Sequence, residues 1–121
     1  MSKAKKKTNA SLNQIPAADA QLAKRIATYV LSVLDSKKSV CVYYDEMDPE
    51  HKIRFKGDQG EYDISDCYHV WVFTAVKKYL DKSGWVRVIL DWNYRYENSV
   101  VTWLRAEAIP GRKKTYDIDT W

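Results

Sequence analysis

Glycine and proline are scarce in this chain, with four and three among 121 residues. No glycine stands in a G-x-x-x-x-G-K or G-x-G-x-x-G context, so a phosphate-cradling loop is not expected. Histidine and cysteine are scarcer still, two of each. No C-x-x-C, G-x-S-x-G or H-E-x-x-H occurs, which removes the common redox, serine-hydrolase and zinc-protease signatures. A Cys–His nucleophile would need Cys41 or Cys67 beside His51 or His69, and nothing in the spacing supports it. No apolar run approaches the roughly 20 residues of a membrane span. The lysine-rich start has no apolar core behind it, so no secretory signal is expected. With two distant cysteines, an intracellular, cytoplasmic protein with free thiols is the default.

Aromatic residues, by contrast, are plentiful: five Trp and nine Tyr. Hydrophobic residues make up 45% of the chain, enough for one folded domain with a single core. The net charge of +4 is unevenly spread. Lys3, Lys5, Lys6 and Lys7 carry it all, since without residues 1–14 sixteen basic residues face sixteen acidic ones. Residues 45–66 hold eight acids against Lys52, Arg54 and Lys56, a local balance of −5. The body is therefore polarised and not basic, which weakens any argument from isoelectric point alone.

Residues 1–14 read as a disordered basic arm, and residues 15–121 as a single domain whose tail spans 108–121. Pro16 opens a first helix, with Leu22, Ile26, Tyr29, Val30, Val33 and Leu34 on one stripe. Val40, Val42 and Tyr44 alternate with Cys41 and Tyr43 in a first strand. An acidic loop, residues 45–50, leads to a second strand with Ile53 and Phe55 inward. Gly57 to Gly60 makes a turn, and Asp63 or Asp66 offers a helix cap. Residues 67–80 read as a second helix, stopped at Gly84.

The stretch from Trp85 to Ala106 reads as a hairpin with its polar loop at Asn93 to Asn98. Setting Leu90 opposite Val100 gives an apolar inner face. The outer face then pairs Arg87 with Trp103 and Trp85 with Arg105, a checkerboard open to cation–π contact. Tyr116, Ile118 and Trp121 give the tail enough apolar surface to dock on the body or on a partner. The expected architecture is an α+β two-layer sandwich. Two helices lie on one face of a roughly four-stranded antiparallel sheet, in the order α-β-β-α-β-β.

Two functions follow. The first in rank is a non-catalytic protein-binding module. Its anchors would be Trp85, Arg87, Tyr94, Arg95, Tyr96, Trp103 and Arg105, residue types that dominate interfaces. Self-association into a homodimer through the Trp/Arg face belongs with it. The second is nucleic-acid association through Lys3, Lys5, Lys6, Lys7, Arg112, Lys113 and Lys114, with the same sheet face as a stacking platform. No cofactor, metal or membrane is expected. Cys41, His51, Cys67 and His69 lack the close ligand pair of a zinc site. Glu50-His-Lys52 is similar to the E-x-K of metal-dependent nucleases, without the upstream Asp that chemistry needs. In small size, aromatic content and lack of catalytic motifs the chain resembles phage and mobile-element accessory proteins, some of which inhibit larger host proteins. No residue role is carried over from that type.

Overall fold

The computed structural model describes residues 14–57 and 60–118. Helix α1 (Ala17–Leu34) follows Pro16 and buries Leu22, Ala23, Ile26, Ala27, Val30, Leu31 and Leu34, two adjacent rows at helical spacing. Strands β1 (Ser39–Asp45), β2 (Lys52–Phe55) and β3 (Glu61–Asp63) come next, then helix α2 (His69–Ser83). The hairpin of β4 (Val86–Tyr96) and β5 (Ser99–Ala108) follows. The sheet is open and antiparallel, in the order β3-β2-β1-β5-β4. Among the described residues the protein is thus α+β, with two helices and five strands.

Strand alternation sorts the residues between two faces. Val40, Val42, Tyr44, Ile53, Phe55, Leu104 and Ala106 are buried on the inner face, together with the buried sides of both helices. Tyr29 meets Phe55 edge-on, with ring centroids 4.8 Å apart. The two helices pack on each other and on this one face, so among the described residues the outer face has no helical layer.

The third strand departs from the four-stranded expectation. Asp63 does not cap α2. Its carboxylate accepts from the Ser65 N–H and Oγ, closing a tight turn after β3. The backbone N–H of Tyr68, the residue preceding α2, donates instead to Asp19 Oδ2 at 2.8 Å. Asp19 is buried in the first turn of α1, so one carboxylate serves the starts of both helices. Only the tertiary fold supplies that cap. At the other end of α2, Gly84 sits at φ +82°, the left-handed stop expected of glycine.

The hairpin is longer than its composition suggests. Strand β4 runs through the polar stretch to Tyr96, and only Glu97 and Asn98 turn the chain. The register shifts accordingly. Leu90 opposes Leu104, Arg87 opposes Glu107 and Ile89 opposes Arg105. The shift is even, so the faces survive while the partners change. Arg87 gains an acidic neighbour where a Trp partner was expected.

Trp85 is the main correction. It is fully buried, although strand parity placed it on the outer face. Its Nε1 donates to Thr115 O at 2.7 Å, and Tyr116 packs edge-on against it at 5.5 Å. Lys114 Nζ lies over the ring at 5.6 Å and donates to Leu34 O. Tyr116 OH donates to Asp35 Oδ1, and Ile118 is buried. The segment after β5 therefore folds back over Trp85 and the end of α1.

Candidate functional site

The outer sheet face is built mainly by β1, β5 and the far end of β4. Tyr43 lies directly opposite Trp103, Cys41 opposite Arg105, and Asp45 opposite Val101. Strict alternation along β4 would send Tyr94 and Tyr96 to the inner face with Trp92. A bulge prevents this. Between the Asp91–Trp103 and Tyr94–Val101 pairs, Trp92 and Asn93 oppose Thr102 alone. Asn93 takes φ +53°, which asparagine tolerates better than most residues. Its N–H approaches Thr102 Oγ1 at 3.4 Å. Beyond the extra residue, Tyr94 and Tyr96 stand on the outer face, opposite Val101 and Ser99. Trp92 stays inside, edge-on to Phe73 at 6.4 Å.

Together these side chains line an open groove of about 800 Å³, with Tyr43, Tyr94, Tyr96, Val101 and Trp103 as its apolar and aromatic surface. Tyr94 and Tyr96 are 48% and 60% exposed, large values for residues on a strand. Lys37, Lys56 and Arg105 sit at its margins with Asp45 and Glu97. Asp45 is held in place, accepting from Ser99 Oγ at 3.0 Å and from the Met47 N–H. Burial pushes the Cys41 thiol above its ordinary value, although Lys56 and Arg105 pull the other way. Cys41 is therefore a protonated thiol near neutral pH, a poor nucleophile.

Of the residues singled out from sequence, Tyr94, Tyr96, Trp103 and Arg105 meet at this groove. Arg87 stands on the same face along β4 and shares Glu107 with Arg105, at 4.0 and 2.9 Å. Arg95 opposes Val100 and so points to the other side of the hairpin from the two tyrosines. Trp85 lies under the tail, away from the groove. Arg112 Nη1 donates to Gly84 O, and Lys114 is held as described above. Lys113 is exposed. Lys3, Lys5, Lys6 and Lys7 lie outside the described residues. Tyr43 and Val101 were not singled out. The outward parity of Tyr43 was legible, but its pairing with Trp103 needs β1 to lie beside β5.

The acidic loop is occupied by its own chain. Arg54 Nη2 donates to Asp48 Oδ2 at 3.0 Å and to Glu50 Oε1 at 2.8 Å, while Nη1 reaches Glu61 at 3.4 Å. Lys52 pairs with Glu61. The Glu50 and Lys52 of the nuclease-like triplet thus have other partners. His69 Nε2 lies 3.5 Å from Glu46 Oε2, and Tyr44 OH lies 3.5 Å from His51 Nδ1. Among the described residues, no three His, Cys, Asp or Glu side chains gather as a metal site, and no helix is long and apolar enough to cross a membrane.

The backbone N–H of Glu50, and next Arg54, hold the Asp48 carboxyl below its ordinary value of 3.8. A depressed carboxylate contributes stability above its unfolded value and loses it as pH falls through the folded one. Asp48→Asn is therefore expected to lower the melting temperature at pH ~6, with the gap to the parent closing below pH ~3.8. Thermal melts across that range check it, and a gap that persists in acid contradicts the Asp48 assignment.

Compared with protein-family models, curated proteins and solved structures, the chain matches none.

Proposed function

We propose that the protein is a non-catalytic binding module that holds another protein on the outer face of its sheet. The observation that carries this reading is the aromatic groove of Tyr43, Tyr94, Tyr96 and Trp103, open among the described residues. Tyrosine and tryptophan offer a large contact area at low entropic cost and anchor interfaces. Charges of both signs rim the groove, which suits the mixed surface of a folded protein. The phage or mobile-element type fits the same reading, with the partner a larger host protein and the module its inhibitor or accessory.

Nucleic-acid association is the second reading, and the same groove speaks against it. Glu107 engages both Arg87 and Arg105, and Asp45 and Glu97 would face a phosphate backbone. Arg112 and Lys114 each donate to a backbone carbonyl. On this reading the lysine cluster near the start of the chain and Lys113 act as a nonspecific tether.

Fluorescence anisotropy with labelled single- and double-stranded DNA and RNA separates the two. The full chain is expected to bind weakly with steep salt dependence, and replacing Lys3, Lys5, Lys6 and Lys7 by Ala to abolish it. Binding that survives those replacements and is lost in Trp103→Ala would make the groove a stacking platform and reverse the ranking.

A further inference from the structure

Among the described residues nothing pairs with the second edge of β4, an eleven-residue strand. A long exposed edge is a template for another strand unless it is blunted. Ile109 N–H donates to Trp85 O at 2.8 Å. The odd-numbered backbone groups of β4 therefore aim at β5. By alternation, the N–H and C=O of Val86, Val88 and Leu90 aim at the open edge.

We propose that this edge pairs with the β4 edge of a second copy of the chain, antiparallel, about a two-fold axis at Ile89. The sequence of β4 is self-complementary in that register. Ile89 meets Ile89 of the second copy, Val88 meets Leu90, and Val86 meets Trp92. Arg87 meets Asp91, twice, once on each side of the axis. Moving the centre to Val88 or Leu90 sets a charge opposite Ile89 instead. A pair of opposite charges facing across antiparallel strands is favourable, and a like pair is not.

Three features of the edge agree. Ile89 is 37% exposed on the outer face, an apolar side chain where a blunted edge would carry a charge. Val88, Leu90 and Trp92 are only partly buried on the inner face. Leu90 and Trp92 border a cleft against Thr74, Lys77 and Asp81 of α2, and the Thr74 hydroxyl is buried there with no hydrogen-bond partner. The core is left unfinished along this one edge. The bulge at Trp92 and Asn93 ends the regular edge and limits the pairing to residues 86–92. An isologous contact of this kind closes on itself as a dimer and does not propagate. It joins two sheets into one of ten strands, with the two grooves on the same side.

The test is sedimentation equilibrium of the full chain with a charge-swap series, each variant checked for a native circular dichroism spectrum. The parent is expected to dimerise at micromolar concentration. Arg87→Asp and Asp91→Arg are each expected to raise the dimer dissociation constant on the order of tenfold or more, through two like-charge pairs. The double variant Arg87→Asp, Asp91→Arg restores the complementarity and is expected to recover the parental constant. Ile89→Cys is expected to form an intermolecular disulfide on mild oxidation, because residues facing across the axis stand within disulfide range. A chain that stays monomeric, or a double variant no better than its singles, overturns the proposal. So does a dimer indifferent to all three substitutions. The two surfaces are read separately: loss of the dimer in Arg87→Asp says nothing against the groove, which Arg87 does not line, and Tyr96→Ala, beyond the bulge, leaves the dimer intact.

Discussion

Trp85→Ala is expected to destabilise the protein by about 3–5 kcal/mol, the range for emptying a fully buried large aromatic site. Trp85 is the largest side chain with no exposed surface. It sits where the start of β4, the end of α1 and the segment after β5 converge. Its removal takes away the Nε1 donor to Thr115 O, the edge-on contact with Tyr116 and the surface under Lys114. The tail should come loose as well, because Thr115 and Tyr116 lose their footing. Denaturant unfolding measures the stability, and proteolysis between residues 109 and 118 reads the tail. Trp85→Phe keeps most of the apolar volume and loses the hydrogen bond, and should cost less, about 1–2 kcal/mol. If Trp85→Ala costs no more than an exposed substitution, the tail does not cover this ring.

Trp103→Ala should behave in the opposite way. Trp103 is half-buried on the outer face, where its loss opens no enclosed cavity. The stability cost is expected to stay near 1–2 kcal/mol. The cost in partner affinity is expected to be about 2 kcal/mol or more, roughly 30-fold, as for a central aromatic anchor. Tyr94→Ala should also weaken the partner, because Tyr94 stands more exposed at the groove's far wall. Arg95→Ala should not, since Arg95 points to the other side of the hairpin. Once a partner is in hand, calorimetric titration of the three variants checks the order. Equal losses for Tyr94→Ala and Arg95→Ala would mean the bulge does not define the site.

These two tryptophans show where sequence reasoning held and where it stopped. Period-two alternation correctly sorted Val40, Val42, Tyr44, Ile53 and Phe55 from Cys41 and Tyr43, because a strand's faces are a local property. It also set Val86, Val88 and Leu90 on the inner side of β4. The helical stripe of α1 and the glycine stop of α2 were equally local. Trp85 failed because its environment is made by residues thirty positions away, at Thr115 and Tyr116. The cap expected at Asp63 or Asp66 failed for the same reason, since the carboxylate that meets the Tyr68 N–H is Asp19, on the other helix. The third strand was missed because three residues carry no periodicity. Asn93 to Asn98 looks like a loop, since its polar residues are common in loops and also on the open faces of hairpins. The bulge that turns Tyr94 and Tyr96 outward has no reliable signature beyond an asparagine that tolerates positive φ. Tyr94, Tyr96, Trp103 and Arg105 of the groove were therefore legible, but its shape depends on β1 lying beside β5.

The face and the edge make different demands. The groove needs aromatic side chains held open by a bulge. The β4 edge needs a register that pairs Arg87 with Asp91. If both operate, a dimer would present two grooves to one large partner or to two, with the gain in avidity that bivalency brings.

The measurement that tests the central claim most directly is site-specific photo-crosslinking in the cell of origin. A benzoylphenylalanine side chain would be placed, one position at a time, at Tyr96 and Val101 on the outer face and at Thr28 on the exposed side of α1. The expected result is one discrete protein adduct from Tyr96 and Val101, lost when Trp103→Ala is added, and none from Thr28. Adducts from Thr28 alone, or adducts from the outer face that are nucleic acid, would contradict the assignment of this face to a protein partner.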